Sequence, residues 1–294
     1  MSAGTALAIH PGALGDVLLT IPALRAMRAA GARVTLAAQP HLAALVVALG
    51  EADDARDFES LRLYTLFADE ERPRLPTMDR LVCWFGARDP DFARRLIALV
   101  PGAVVAASTP REGLVWQHLL ATVGGAADRE PVRLSDALIA RGRAALSAAG
   151  VEPSRRFVVV HPGAGSTAKR WSPEAFAAAL ATVPADVAIV VHEGPADAEP
   201  AARLCALLPS AHRLAHPDLP ALAGALAHSA LYVGNDSGVS HLAAVVGVRC
   251  LVLCAEANLE WAPWPRKAVI VPIDVSRPTA DEARVSDLVG VFMR

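Results

Sequence analysis

The segment Gly163-Ala164-Gly165-Ser166-Thr167-Ala168-Lys169-Arg170-Trp171 has the residue types and spacing needed to hold a phosphate. Small residues let backbone N–H groups approach an anion, and the hydroxyls of Ser166 and Thr167 with the ammonium of Lys169 complete the cradle. The chain has only two lysines, Lys169 and Lys267, against 26 arginines, so a compact ammonium in this loop stands out. The same glycines fit the dinucleotide fingerprint G-x-G-x-x-A, which would serve an NAD(P)-dependent oxidoreductase. That fingerprint needs a helix to begin inside the glycines, whereas Ser172-Pro173 marks the helix start seven residues after Gly165. No Tyr-x-x-x-Lys exists either, since the only tyrosines are Tyr64 and Tyr232.

A second cluster, Gly234-Asn235-Asp236-Ser237-Gly238-Val239-Ser240-His241-Leu242, follows the apolar run Leu231-Tyr232-Val233. Asp236 or Ser237 would cap the next helix, leaving N–H groups around Gly238 free to face an anion and His241 in the first turn. An Asp there is often only a cap, and a His there often only a core residue. Asp-Ser-Gly also suggests a serine protease, but strand-helix alternation and the lack of a second glycine after Gly238 oppose that. Near the start, Gly12-Ala13-Leu14-Gly15-Asp16 puts a carboxylate in a helical first turn. The helix dipole alone would account for it; chemically, it is also the group needed to take a proton from a hydroxyl nucleophile. Glu193 and Glu199 follow another apolar strand, where an acid can accept hydrogen bonds from a ribose or simply be surface charge. The run from Glu51 to Arg74 reads as a solvated charged face, and Trp261-Ala262-Pro263-Trp264-Pro265 as a rigid turn that lines a pocket or closes the core.

These residues need sheet edges to carry them. Apolar runs at Ala6–His10, Arg33–Ala37, Arg80–Phe85 and Ala103–Ala107, then Phe157–His161, Val187–His192, Leu231–Asn235, Cys250–Cys254 and Ala268–Val271, alternate with helical segments such as Phe92–Leu99, Ser135–Ala149 and Ala175–Ala181. Such alternation predicts parallel sheets of βαβ units. Ala8-Ile9-His10-Pro11-Gly12-Ala13 is echoed by Val159-Val160-His161-Pro162-Gly163-Ala164 at an offset of 151 residues, so two similar doubly wound units are expected end to end. Each would place its glycine loop at the carboxyl edge of its sheet, with the two edges facing a cleft. Gly150 and Glu152-Pro153 put the boundary near 150, giving domains 1–150 and 151–294.

Composition narrows the field. At roughly 150 residues per domain, 294 residues fit two domains. With 53% apolar and 20% charged residues the chain is globular, not disordered. A net charge of −2 provides no basic field for nucleic acid. Cys83, Cys205, Cys250 and Cys254 form no CxxC and have no His at zinc spacing, so no metal is expected and core thiols in a reducing cytoplasm are. The start MSAGTALAIHPG lacks the features of an export signal, and no run is long enough to span a membrane.

Taken in order, Gly12–Asp16, His161-Pro162-Gly163-Ala164-Gly165 with Lys169-Arg170-Trp171, and Gly234–Gly238 with His241-Leu242-Ala243 resemble glycosyltransferase family 9, the family of ADP-heptose:lipopolysaccharide heptosyltransferases. The resemblance covers nearly the whole chain. It implies a GT-B architecture of two Rossmann-like domains, with the acceptor on the first, near Gly12 and Gly15, and the nucleotide-sugar on the second. A last helix, about 279–294, would pack back on the first domain. It implies inverting transfer of a sugar, expected to be heptose from ADP-heptose, to a lipopolysaccharide-core or other glycan, without metal or further cofactor. Asp16 would be the base. Lys169 with Gly163, Gly165, Ser166 and Thr167 would hold the departing diphosphate; Asp236, Ser237, Gly238 and His241 would contact phosphates and sugar; Glu199, or else Glu193, would meet the ribose. The protein would work in the cytoplasm, in peripheral contact with the inner membrane. A catalytically inactive nucleotide-sugar-binding protein is the alternative. Two stretches depart from the family pattern: Ala255-Glu256-Ala257-Asn258, where members commonly carry a Gly-Pro-Thr-like turn, and His10-Pro11, where many have an arginine.

Overall fold

The computed structural model describes residues 4–68, 71–152 and 154–294; Pro153, used above to place the boundary, and Asp69-Glu70 of the charged run lie outside them. The chain forms two compact units, Met1–Arg129 and Glu130–Arg294.

The first unit holds β1 (Gly4–Ile9), α1 (Leu14–Leu19), α2 (Ile21–Ala29), β2 (Ala32–Ala38), α3 (Pro40–Ala48), β3 (Asp54–Asp57), α4 (Thr65–Ala68), β4 (Arg80–Cys83), α5 (Pro90–Leu99), β5 (Val104–Val105) and α6 (Val115–Val123). Among the described residues its strands form one parallel sheet in the order β3-β2-β1-β4-β5. Leu7, Ile9, Leu81, Phe92 and Leu96 pack one face of it. Asp89 starts α5 by accepting from the N–H groups of Asp91 and Phe92, with Pro90 supplying the first helical φ.

The second unit holds α7 (Asp136–Ala148), β6 (Phe157–His161), α8 (Pro173–Leu180), β7 (Ala188–Glu193), α9 (Ala198–Leu207), β8 (His212–Ala215), α10 (Leu219–Ala227), β9 (Leu231–Asn235), α11 (Gly238–Val245), β10 (Cys250–Cys254), β11 (Ala268–Pro272) and α12 (Glu282–Met293). Its parallel sheet runs β11-β10-β9-β6-β7-β8, a doubly wound order that reverses between β6 and β9. β6, β9 and β10 are buried throughout, as expected of central strands covered on both faces.

Three expectations need correction. The boundary falls at 129/130 and not near 150, because α7 packs on α10 through a glycine contact: a Cβ at Gly142 would lie 2.0 Å from the carbonyl carbon of Gly224. That closeness leaves no room for a side chain and ties α7 to the second unit. The last helix contributes to the second unit: α12 buries Val285, Val289 and Met293 in that unit's core beside Trp171 and Phe176. The run Glu51–Arg74 is more than a solvated face, since it contains β3 and α4 and sends Leu61, Leu63 and Leu66 into the core. Finally, β3 and β8 escape a reading by apolar runs: both are edge strands, and β3 is Asp-Ala-Arg-Asp, the charged composition that protects a sheet edge. In the Trp-Pro turn Trp264 is buried and Trp261 half-buried.

Candidate active site

In an open α/β sheet a ligand crevice opens at the carboxyl edge where strand order reverses. In the second unit that point lies between β6 and β9, and the two motifs singled out from sequence are the loops that leave those strands. Lys169 closes a single 3₁₀ turn, Thr167–Lys169, and its Nζ donates to Oδ2 of Asp236 at 2.7 Å. The carboxylate is 9% exposed and the lysine side chain 35%, so this ion pair spans the crevice with one partner anchored and the other reaching toward solvent. Ser166, Thr167 and Gly165 are exposed beside it.

Buried Asn235 fixes the loop. Its Nδ2 donates to the Pro162 carbonyl at 2.8 Å, while its Oδ1 accepts the Trp171 N–H at 3.0 Å. One amide thus clasps both ends of the glycine loop. Trp171 is itself buried, and its Nε1 donates to the Pro278 carbonyl at 3.0 Å. On the β9 side Ser237, rather than Asp236, caps α11, accepting from the Ser240 N–H. That leaves the Asp236 carboxylate for Lys169. His241 is buried in the first turn of α11. Cys254, at the end of β10, is an inert thiol, pushed up to about 12 by burial.

The two glycines of the loop have different jobs. A Cβ at Gly163 would fall 2.2 Å from Cγ of Asp197, so this residue is glycine to admit that carboxylate. A Cβ at Gly165 would meet nothing within 4 Å, leaving an open backbone for an anion to approach. Asp197 was missed by sequence reasoning. It is buried, with the His161 Nε2 and an Arg170 guanidinium nitrogen each 3.8 Å from its oxygens. Arg170 also reaches the Ala164 carbonyl at 3.4 Å, and its buried Nε has no hydrogen-bond partner. The signal for Asp197 was its place just before α9 in Gly194-Pro195-Ala196-Asp197, which reads equally as an ordinary cap.

His161 and His192 lie side by side on β6 and β7 with their Nδ1 atoms 3.0 Å apart. Burial lowers the proton affinity of both, and for His192 the neighbouring His161 and His216 lower it further. Glu193, at the end of β7, is buried and paired with Arg213 and with His216 Nε2, the latter at 3.1 Å. Glu199 is exposed in the first turn of α9. Of the two, Glu199 has the accessible carboxylate.

In the first unit the strand order reverses between β1 and β4, and Gly12–Asp16 is the loop leaving β1. Asp16 is the third residue of α1, and its Oδ2 accepts the Ala13 N–H at 2.8 Å. Asp16 is half-buried, which suits a carboxylate that keeps one face toward a reactant. Gly12 is held close by its neighbours, and Gly15 lies inside α1.

The structure therefore gathers Gly163, Gly165, Ser166, Thr167, Lys169, Asp236, Ser237, Gly238 and His241 at one edge of the second unit, and Gly12, Gly15 and Asp16 at the corresponding edge of the first. Among the described residues no group of three or more His, Cys, Asp or Glu side chains could hold a metal ion, and no helix is long and apolar enough to cross a membrane.

No curated protein matches the chain by sequence. Solved structures do match the fold. A glycosyltransferase family 9 protein from Veillonella parvula superposes with a TM-score of 0.74 at 16% identity, covering 97% of this chain and 90% of that one. The ADP-heptose lipopolysaccharide heptosyltransferase II of E. coli gives 0.76 at 16% identity, covering 98% of each. An E. coli heptosyltransferase solved with ADP gives 0.70 at 14% identity, covering 98% and 99%. The model of glycosyltransferase family 9 (heptosyltransferase) matches residues 116–287, well over half the chain. The two doubly wound sheets, the loops at their reversal points and this match lead to one assignment: the chain is a glycosyltransferase and belongs to glycosyltransferase family 9.

Proposed function

We propose that the protein transfers a heptose with inversion from ADP-heptose to a hydroxyl of a lipopolysaccharide-core or other glycan acceptor, with no metal and no cofactor beyond the donor. The observation that carries this reading is the Lys169–Asp236 pair at the reversal point of the second sheet, beside the open backbone of Gly165. The second unit holds the donor. Lys169 takes the diphosphate, aided by Ser166, Thr167 and the N–H groups at the start of α11, while Glu199 meets the ribose. Asp236, Ser237, Gly238 and His241 line the phosphate and sugar positions.

The first unit holds the acceptor. Asp16 removes the proton of the acceptor hydroxyl as its oxygen attacks the anomeric carbon; the bond from that carbon to the phosphate oxygen breaks, and its electron pair leaves with ADP. Negative charge grows on the leaving diphosphate, where a fixed ammonium and oriented N–H dipoles stabilise it. Heptose and adenine are supported by the family and by similar structures of an ADP-heptose lipopolysaccharide heptosyltransferase and of a heptosyltransferase with bound ADP. The acceptor would be met at the cytoplasmic face of the inner membrane by peripheral contact.

The deciding experiment is calorimetric titration with ADP, UDP, GDP and NAD in the presence of EDTA, for the wild type and Lys169→Ala. ADP binding that weakens in the variant supports the proposal. Binding of NAD alone overturns it in favour of an oxidoreductase, and loss of ADP binding in EDTA overturns the metal-free mechanism.

A further inference from the structure

Asp16 shares its strand end with a second ionisable group. His10 follows β1 directly and is 3% exposed. Its Nδ1 accepts the Gly12 N–H at 3.1 Å, which places the lone pair on Nδ1 and the proton of the neutral ring on Nε2. Gly12 lies between the ring and the carboxylate. A Cβ there would sit 2.7 Å from the His10 Cε1, 2.7 Å from the Asp16 Oδ2 and 2.6 Å from the Asp16 Cβ. That same Oδ2 accepts the Ala13 N–H, and the Gln39 amide donates to the Gly12 carbonyl at 3.3 Å. The turn between β1 and α1 is thus gripped by an imidazole, a carboxylate and an amide.

Among the described residues, the neighbours that meet His10 from the other strands are an indole and a backbone carbonyl. Just after β4 comes Trp84, with ring centroids 6.1 Å apart, and from β2 the carbonyl of Ala37, which accepts the His10 backbone N–H. The charge facing the ring is Asp16 on α1. The echo motif of the second unit is used differently: the Nδ1 of His161 meets His192 instead of a loop N–H.

From this juxtaposition we infer that His10 is a positioning residue for proton removal by Asp16, holding through Gly12 the turn that aims the carboxylate. The inference rests on the reading of Asp16 as the base. Protonating the ring turns Nδ1 into a donor, so Gly12 N–H loses its acceptor and two N–H groups face each other. The imidazolium would also favour the ionised carboxylate and make it a weaker base. Both effects act in one direction, toward slower transfer on the acid side. Burial lowers the proton affinity of His10, against a smaller opposing pull from Asp16, so this limb falls below the ordinary imidazole value near 6.5.

The test measures ADP release from ADP-heptose, with deacylated lipopolysaccharide core as acceptor, across pH 5–8 for the wild type, His10→Leu, His10→Asn and Asp16→Asn. His10→Leu is expected to lower kcat about tenfold or more with KM for ADP-heptose little changed. His10→Asn, whose Oδ1 can accept the Gly12 N–H but takes up no proton in this range, should recover most of kcat at pH 8 and shift the acid limb to lower pH. Imidazole ¹⁵N spectra of the wild type, which need no turnover, should show His10 neutral with its proton on Nε2. They also decide the matter if His10→Leu fails to fold. An Nδ1–H tautomer, or wild-type kcat and acid limb in both His10 variants beside an inactive Asp16→Asn, would overturn the positioning role alone. Undiminished kcat in Asp16→Asn would overturn the base assignment and this inference with it.

Discussion

Lys169 and Asp236, 67 residues apart in sequence, meet at 2.7 Å across the reversal point of the second sheet. An ammonium has three N–H donors, and the Asp236 oxygen uses one. The pair therefore holds Lys169 in place without exhausting its donors, and in the proposed function Asp236 anchors the cation that meets the diphosphate. A guanidinium, planar and fork-shaped, would not reproduce the compact charge that Lys169 places there.

Lys169→Ala should weaken ADP binding by about tenfold to a hundredfold, the range expected for losing a charge-assisted hydrogen bond of roughly 1.5–3 kcal/mol. Lys169→Arg should recover only part of this. Calorimetric titration of both variants with ADP checks the claim, and an unchanged dissociation constant in Lys169→Ala would refute it.

Asp16→Asn keeps the shape of the side chain and an acceptor for the Ala13 N–H but removes the base. Its kcat should fall by about 10²–10⁴, the usual contribution of general base catalysis, while ADP affinity stays the same. Steady-state kinetics alongside calorimetry separate the two quantities. A parallel loss of ADP binding would move Asp16 out of the proton-transfer role.

Much of this arrangement was legible in the sequence because the buried parallel strands and the glycine loops leave strong signals. The spans of β6, β9 and β10 match the apolar runs residue for residue, and Ser172 caps α8 as its Ser-Pro-Glu signature requires. What stayed hidden depends on contacts between distant segments. β3 and β8 are edge strands with too little apolar character to stand out, and the Gly142–Gly224 contact that carries α7 into the second unit has no local signature. Asp197 was passed over for the same reason: only the folded chain shows that Gly163 is glycine on its account.

Asn235→Ala leaves the Pro162 carbonyl and the Trp171 N–H unpaired in a buried position. Each orphaned group costs about 1–3 kcal/mol, so the melting temperature should drop measurably. ADP affinity should fall too, because the glycine loop loses its clasp at both ends. Differential scanning calorimetry with and without ADP checks both. A variant with wild-type stability would mean that the amide is replaceable by water.

The buried histidines set the pH dependence of stability. Burial is the leading cause that lowers the proton affinity of His10, His161 and His192 in the folded protein. In the unfolded chain the same rings titrate near their ordinary value of about 6.5. Between the folded and unfolded values the unfolded state binds more protons, so stability rises with pH through that window and is lost as pH falls below about 6.5. Melting temperature should therefore be flat from about pH 8 to 7 and decline from about 6.5 toward 5. Replacing His192 with Asn should flatten part of the decline, since His192 is pushed furthest by burial and by the neighbouring His161 and His216. A melting temperature that stays level down to pH 5 in the wild type would show that these rings take up protons in the folded state as readily as in the unfolded one.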